Sequence, residues 1–398
     1  MGDKRKITIS SPLVSQPAAA GAGPATFLRL ETIAVRAGAE TDPTTGALAP
    51  PLHLSTTFEH GPASEAIHGF RYIREKNPTQ LRLEAALRDL EGGLAALVFS
   101  SGMAASAAML QALKPGSHVI LSDDIYIDVR NLARDFLPAW GVESSVVNLQ
   151  DLQALKDALR AETKLIWIET PSNPLLKILD IRAISRIAHE VDAQLLVDNT
   201  FATPILQRPL SMGADVVLHS TTKYCGGHSD VLGGCLVVKS RELLDRLLHV
   251  REILGAVAAP FNSWLILRGL RSLSCRMERH SANAAVVASA LVGCPAVEAV
   301  YYPGLCSHAG HEIAQHQMKG FGGMLSFLVQ GGREGALRVA SRVKLFANAT
   351  SLGGVESLIE HRASSEGKMS RAPQNLLRLS VGLEHPDDLV EDLLQALT

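Results

Sequence analysis

From about residue 95, short apolar runs alternate with segments of helical period, and only a sheet covered by helices accommodates that alternation. The runs are AALVFSS, HVILSD, ESSVVN, KLIWIET, AQLLVDNT, ADVVLHS and GGCLVVK. Between them lie helical stretches such as SGMAASAAMLQALKPG, which stops at Pro115-Gly116, and IRAISRIAHEVDA, which starts after the capping residue Asp180. The expected core is therefore α/β, a doubly wound, mostly parallel, seven-stranded sheet. After about residue 260 the pattern changes to long helices and then a strand and helix mixture, which predicts a smaller C-terminal α+β domain. The expected division is an N-terminal arm over 1–75, a large domain over 76–262 and a small domain over 263–398.

Composition agrees with two buried cores and a small partner. Of 398 residues 46% are hydrophobic and 20% charged, and the formal net charge is -2 with both signs interspersed. That balance offers no basic footprint for nucleic acid, and no like-charge run marks a tail or a membrane surface. No apolar segment is long enough to cross a bilayer, and the first residues carry basic side chains with no apolar stretch behind them. A cytoplasmic protein is expected. The five cysteines, Cys225, Cys235, Cys275, Cys294 and Cys306, are scattered without zinc spacing and are expected to be reduced thiols. His308, His311 and His316 sit close together, but His311 and His316 are off the i, i+4 face and lack an acidic or cysteine partner at ligand spacing. A solvated helix face, with no metal, is the expectation.

In parallel sheets ligands sit beyond the carboxyl ends of the strands, so the polar residues there are the candidates. LLVDNTF ends on Asp198, and VVLHSTTK ends on Ser220, Thr222 and Lys223. LVFSSGM runs through Gly102 into a helix, whose free N–H groups and positive dipole end suit an anion such as phosphate. A lysine, an acid and a phosphate nest together describe a site for pyridoxal 5'-phosphate (PLP). That cofactor needs a lysine for its Schiff base and a carboxylate on its ring nitrogen. The hydroxyls beside Lys223 can bind phosphate, and GGH at 226–228 lets the backbone approach closely. No G-x-G-x-x-G turn follows any strand, which argues against a dinucleotide-binding dehydrogenase.

The segments HSTTKYCGGHSDVLGG, VDNTFATPILQRPL, IETPSNPLLKILDI, YIREKNPT, LEGG, SSGMAA, SLGGVESL and LRLSVGLEHPDDL together resemble the Cys/Met-metabolism (transsulfuration) family of PLP enzymes, of the cystathionine γ-synthase and γ-lyase kind. The resemblance runs from about residue 30 to the C-terminus. It implies the PLP fold type I and makes Lys223 the Schiff-base lysine and later proton shuttle, with Asp198 on the ring nitrogen. Gly102, Met103, Ser220 and Thr222 would hold the phosphate, helped by Tyr72 and Arg74 from a neighbouring subunit. Tyr126 would stack on the ring and take part in proton transfer. Arg378 would fork onto the substrate α-carboxylate, a task suited to guanidinium, assisted by Ser351 and Asn173. The arm would then be partly disordered and reach the neighbour, and the active sites would be shared across a dimer, with a homotetramer expected.

The family pattern breaks at the substrate end. Relatives often have glycines and a threonine after the stacking tyrosine, where this chain has Ile127, Asp128 and Val129, and glutamates where it has Arg71 and Thr350. Asp128, Arg71 and Thr350 are therefore candidate substrate-binding residues. The expected activity is elimination or replacement at Cγ of a homoserine- or homocysteine-like amino acid, with an ester, thiol or halide as possible leaving group. The alternatives are a β-eliminating enzyme of the cystathionine β-lyase type and a non-catalytic PLP-binding scaffold.

Overall fold

Each of the seven apolar runs forms a strand. In the computed structural model, which describes residues 28–38 and 40–398, they are β1 (Ala95–Phe99), β2 (His118–Ser122), β3 (Glu143–Val147), β4 (Thr163–Glu169), β5 (Gln194–Asp198), β6 (Val216–His219) and β7 (Gly234–Val238). The disorder expected within the arm falls partly on residues 1–27, outside the described residues. The sheet order is β1-β7-β6-β5-β4-β2-β3, and β7 alone runs against its neighbours. Alternate side chains enter different layers: Val98, Ile166, Val197 and Val217 pack on one face, while Leu97, Leu165, Leu196 and Val216 pack on the other. A sheet covered on both faces needs continuous apolar strands, which is why the runs were legible. Each such side chain contributes about 1.5–3 kcal/mol of burial.

Because two reversals separate β1 from β6, strands β1, β2, β4, β5 and β6 all end on the same edge of the sheet. Helix starts are fixed by caps there and elsewhere. Ser101 Oγ accepts from Ala104 N at 3.0 Å to open the helix Gly102–Gln111. Asp180 Oδ1 accepts from Ala183 N at 2.9 Å to open Ile181–Glu190, as its position predicts.

The second sheet comprises β8 (Val297–Tyr301), β9 (Met324–Val329), β10 (Ala347–Asn348), β11 (Leu358–His361) and β12 (Leu376–Ser380), in the order β10-β11-β12-β9-β8. All its pairs are antiparallel except β10 with β11. The helices Pro260–Leu270 and Leu273–Val292 lie between the sheets in sequence. The expected border at 262/263 falls inside Pro260–Leu270, which packs against Pro78–Glu91. The histidine group differs from expectation in one respect. His316 is exposed, but His308 and His311 are half-buried, and the His311 ring stacks on Phe321 with centroids 5.6 Å apart. Among the described residues no helix is long and apolar enough to cross a membrane.

Candidate active site

The strand-end edge gathers the polar residues. Asp198, closing β5, accepts from Thr200 N at 3.0 Å and from Thr200 Oγ1 at 2.5 Å, and Thr200 Oγ1 in turn accepts from Ser220 N at 2.9 Å. The ends of β5 and β6 are thereby tied together. Glu169, closing β4, stands opposite Asp198 in register and accepts from Tyr126 N at 2.8 Å. Burial pushes both carboxyls above their ordinary range, and the Asp198 charge raises Glu169 further. None of these hydrogen-bond partners is a cation, so a protonated ring nitrogen against Asp198 would supply the missing charge.

The phosphate end is built by close approach. A Cβ on Gly102 would lie 2.9 Å from Ser220 Cβ and 3.0 Å from Ser220 Oγ, so only glycine lets the helix start meet the end of β6. Ser101 takes the N–H groups of Ala104 and Ala105, which leaves those of Gly102 and Met103 without a partner among the described residues. With Ser220 Oγ they are donors that would suit an anion such as phosphate. Thr222, the other hydroxyl expected at the phosphate, donates to Gly233 O at 3.1 Å and accepts from Gly233 N at 3.1 Å. Its single hydrogen already closes the 222–233 loop.

Lys223 follows β6 in a turn. Its Nζ donates to Ser351 Oγ at 2.8 Å, and burial, reinforced by the Arg378 charge, pushes its ammonium down to about 8. Ser351 also accepts from Arg378 Nη2 through its carbonyl oxygen at 2.8 Å. It does so at φ 78, in the left-handed region that non-glycine residues rarely adopt. Arg378 Nη1 donates to Asn173 Oδ1 at 3.1 Å. Lys223 and Arg378 thus share one partner, Ser351.

Residues 31–398 match the Cys/Met metabolism PLP-dependent enzyme family. The chain belongs to that family. It is 49% identical over 374 residues to a cystathionine γ-synthase of Mycobacterium leprae, covering 92% of this chain and 96% of the relative. It is 46% identical over 377 residues to a cystathionine β-lyase of Lactococcus lactis subsp. cremoris, covering 92% and 98%. The solved cystathionine γ-synthase of Xanthomonas oryzae pv. oryzae in complex with aminoacrylate and cysteine superimposes with a TM-score of 0.90 at 41% identity, covering 94% of this chain and 98% of that one. The protein is accordingly a PLP-dependent enzyme of fold type I, a lyase or transferase acting on small amino acids.

The residues present fit PLP: Lys223 for the imine, Asp198 for the ring nitrogen, and Gly102, Met103 and Ser220 for the phosphate. Tyr126 lies half-buried at the start of the helix Ile127–Asp135, with its hydroxyl donating to Asp128 Oδ2 at 2.7 Å. Burial, and then Asp128, push its phenol up to about 12. The remaining candidates lie elsewhere in the chain. Arg71 pairs with Glu75 at 3.0 Å and is exposed. Arg74 donates to Glu252 O at 3.0 Å and sits over the Tyr72 ring at 5.5 Å, and Thr350 is exposed. No hydrogen bond joins Arg71, Tyr72 or Arg74 to Lys223, Asp198 or Ser220 among the described residues.

Sequence reasoning missed Glu169 and a buried charge cluster formed by Glu360, Arg362 and Glu366 beside Arg378. Opposite charges at the centres of two strands, in SLIEHR and LLRLS, were the available signal for the cluster.

Proposed function

We propose that this protein catalyses elimination or replacement at Cγ of a homoserine- or homocysteine-like amino acid, expelling an ester, thiol or halide. The observation that carries the reading is the junction of Lys223, Ser351 and Arg378. PLP bound at Lys223 supplies an electron sink that makes the Cα proton of an amino acid acidic. Arg378 and Asn173 hold the carboxylate, and Lys223 removes the proton from the adjacent Cα. For γ-chemistry the same amine removes a proton from Cβ as well. A lysine whose ammonium is pushed down to about 8 is suited to repeated transfer near neutral pH.

The high identity to cystathionine γ-synthases supports the choice of Cγ, and the relatives named cystathionine β-lyase support β-elimination as the second reading. Asp128 and Arg71 set the choice of substrate in this proposal. Tyr72 and Arg74 act on the phosphate of a neighbouring copy in a shared-site dimer, assembled as a tetramer. The unpaired cysteines agree with a reducing, cytoplasmic setting. A panel of O-acyl-homoserines, cystathionine, methionine and γ-halogenated amino acids, with products identified by mass spectrometry, tests the reading. Products of Cγ cleavage are expected; pyruvate formation alone, from β-elimination, would overturn it.

A further inference from the structure

Arg378 is not free to receive a carboxylate by simple addition. Of its nitrogens, Nη1 donates to Asn173 Oδ1 and Nη2 to Ser351 O, Glu360 Oε2 lies against Nη2 as an ion pair at 2.5 Å, and Nε is buried without a hydrogen-bond partner. A carboxylate that forks onto a guanidinium uses Nη2 together with either Nε or Nη1, since Nε–H points away from Nη1. An incoming carboxylate that forks onto the unpartnered Nε and Nη2 therefore meets the Glu360 carboxylate already against Nη2 and competes with it. The Ser351 carbonyl is fixed in the backbone, so the partner able to move is the Glu360 side chain.

Glu360 is arranged for that exchange. It stands directly across the β11–β12 ladder from Arg378, and its Oε2 also accepts from Arg362 Nη1 at 3.1 Å. Its other oxygen, Oε1, is buried without a hydrogen-bond partner, as is Arg362 Nε. Arg362 is anchored at its far side to Glu366 Oε1 at 2.7 Å. The side chains of Glu360, Arg362 and Arg378 are 4%, 7% and 3% exposed, so their charges must balance locally.

Building on the reading of Arg378 as the α-carboxylate anchor, we propose that Glu360 is a resident carboxylate that competes with the substrate for Arg378, and that Arg362 is the positioning residue that holds Glu360 when it yields. The affinity of the site for carboxylates is thus set below what Arg378 alone would give. Two buried cations and two buried anions are neutral together, and Arg362 decides how much of the Glu360 charge faces Arg378.

The test uses the PLP-loaded enzyme and propionate, a carboxylate with no amine to react, with its dissociation constant read by calorimetry. Glu360→Gln is expected to bind propionate about 10-fold more tightly, and Glu360→Asp, which keeps the charge but shortens the reach, several-fold more tightly. Arg362→Gln, which leaves Glu360 to Arg378 alone, is expected to bind several-fold more weakly, with Arg362→Lys restoring part of the loss. That arm stands even if the Glu360 variants fail to fold. Unchanged or weaker binding in a folded Glu360 variant, or unchanged binding in Arg362→Gln, would overturn the proposal. Arg378→Gln separates the two claims: if it still binds propionate as the parent does, the anchor reading itself fails; if it loses binding while the Glu360 and Arg362 variants do not shift, only the competition fails.

Discussion

Lys223 Nζ and Ser351 Oγ, 2.8 Å apart, join the turn after β6 in the large sheet to the segment before β11 in the second sheet. The contact spans 128 residues of chain and brings the Lys223 amine against the loop whose carbonyl accepts from Arg378. In the proposed chemistry, geometry between the two sheets sets how the α-carbon is offered to Lys223.

The close contact at Gly102 makes a sharp expectation. Gly102→Ala places a Cβ 2.9 Å from Ser220 Cβ and 3.2 Å from Ser220 Cα, so the helix start or the strand end must shift and the phosphate nest widens. PLP affinity is expected to fall ~10-fold or more, about 1.4 kcal/mol, with little change in the thermal midpoint of the cofactor-free protein. Equilibrium dialysis against PLP measures it, and an unaltered dissociation constant would remove the phosphate from this site.

Asp128 is expected to govern both Tyr126 and substrate choice. Replacing it by Asn removes the charge that helps to hold the Tyr126 phenol near 12, so ionisation moves to lower pH. Ultraviolet difference titration against Tyr126→Phe reads that shift. Asp128→Gly and Arg71→Glu should leave cofactor binding and α-proton exchange nearly unchanged while the native substrate loses ~10-fold or more in kcat/KM. An unchanged substrate ranking in both variants would indicate that Asp128 serves Tyr126 alone and that Arg71 serves only Glu75.

The core was legible because the strands of the large sheet, apart from the largely exposed edge strand β3, are short apolar runs buried on two faces and bounded by turn residues. Lys223, Asp198 and Gly102 stood out as candidates because Asp198 closes such a run and Gly102 and Lys223 follow one within four residues. Ser351 yielded its position only through resemblance, since a positive φ leaves no mark in composition. The Glu360–Arg378 pair was hidden for another reason: the two residues are brought together by the register of β11 on β12, which sequence periodicity does not specify.

His280 is expected to make the protein acid-sensitive. It is wholly buried, its Nδ1–H donates to Val381 O at 2.7 Å, and burial pushes it down to about 4. In the unfolded chain it titrates near 6.5, so between these values the unfolded state binds a proton that the folded state refuses. Stability from this group is full above about pH 6.5 and falls as pH drops toward 4, by roughly 2–3 kcal/mol. Urea denaturation at pH 7 and pH 4.5 should show a smaller loss in His280→Gln than in the parent. Parallel losses would assign the acid sensitivity elsewhere.

A shared active site is expected to be revealed by complementation. An Arg74→Ala subunit mixed with a Lys223→Ala subunit gives hybrids with one site built from intact halves, provided that Arg74 serves the neighbour. Each parent should be nearly inactive and the hybrid should regain up to about half the activity per site pair. Hybrids that form, as judged by differential tags, yet stay as inactive as either parent would confine Arg74 to its own subunit.

The account as a whole rests on Lys223 carrying the cofactor, and borohydride reduction of the PLP-loaded protein followed by peptide mapping tests it most directly. Reduction fixes the cofactor covalently on the amine that held it. A phosphopyridoxyl group on Lys223, lost in Lys223→Ala, is the expected result; the same group on any other lysine, with Lys223 unmodified, would contradict it.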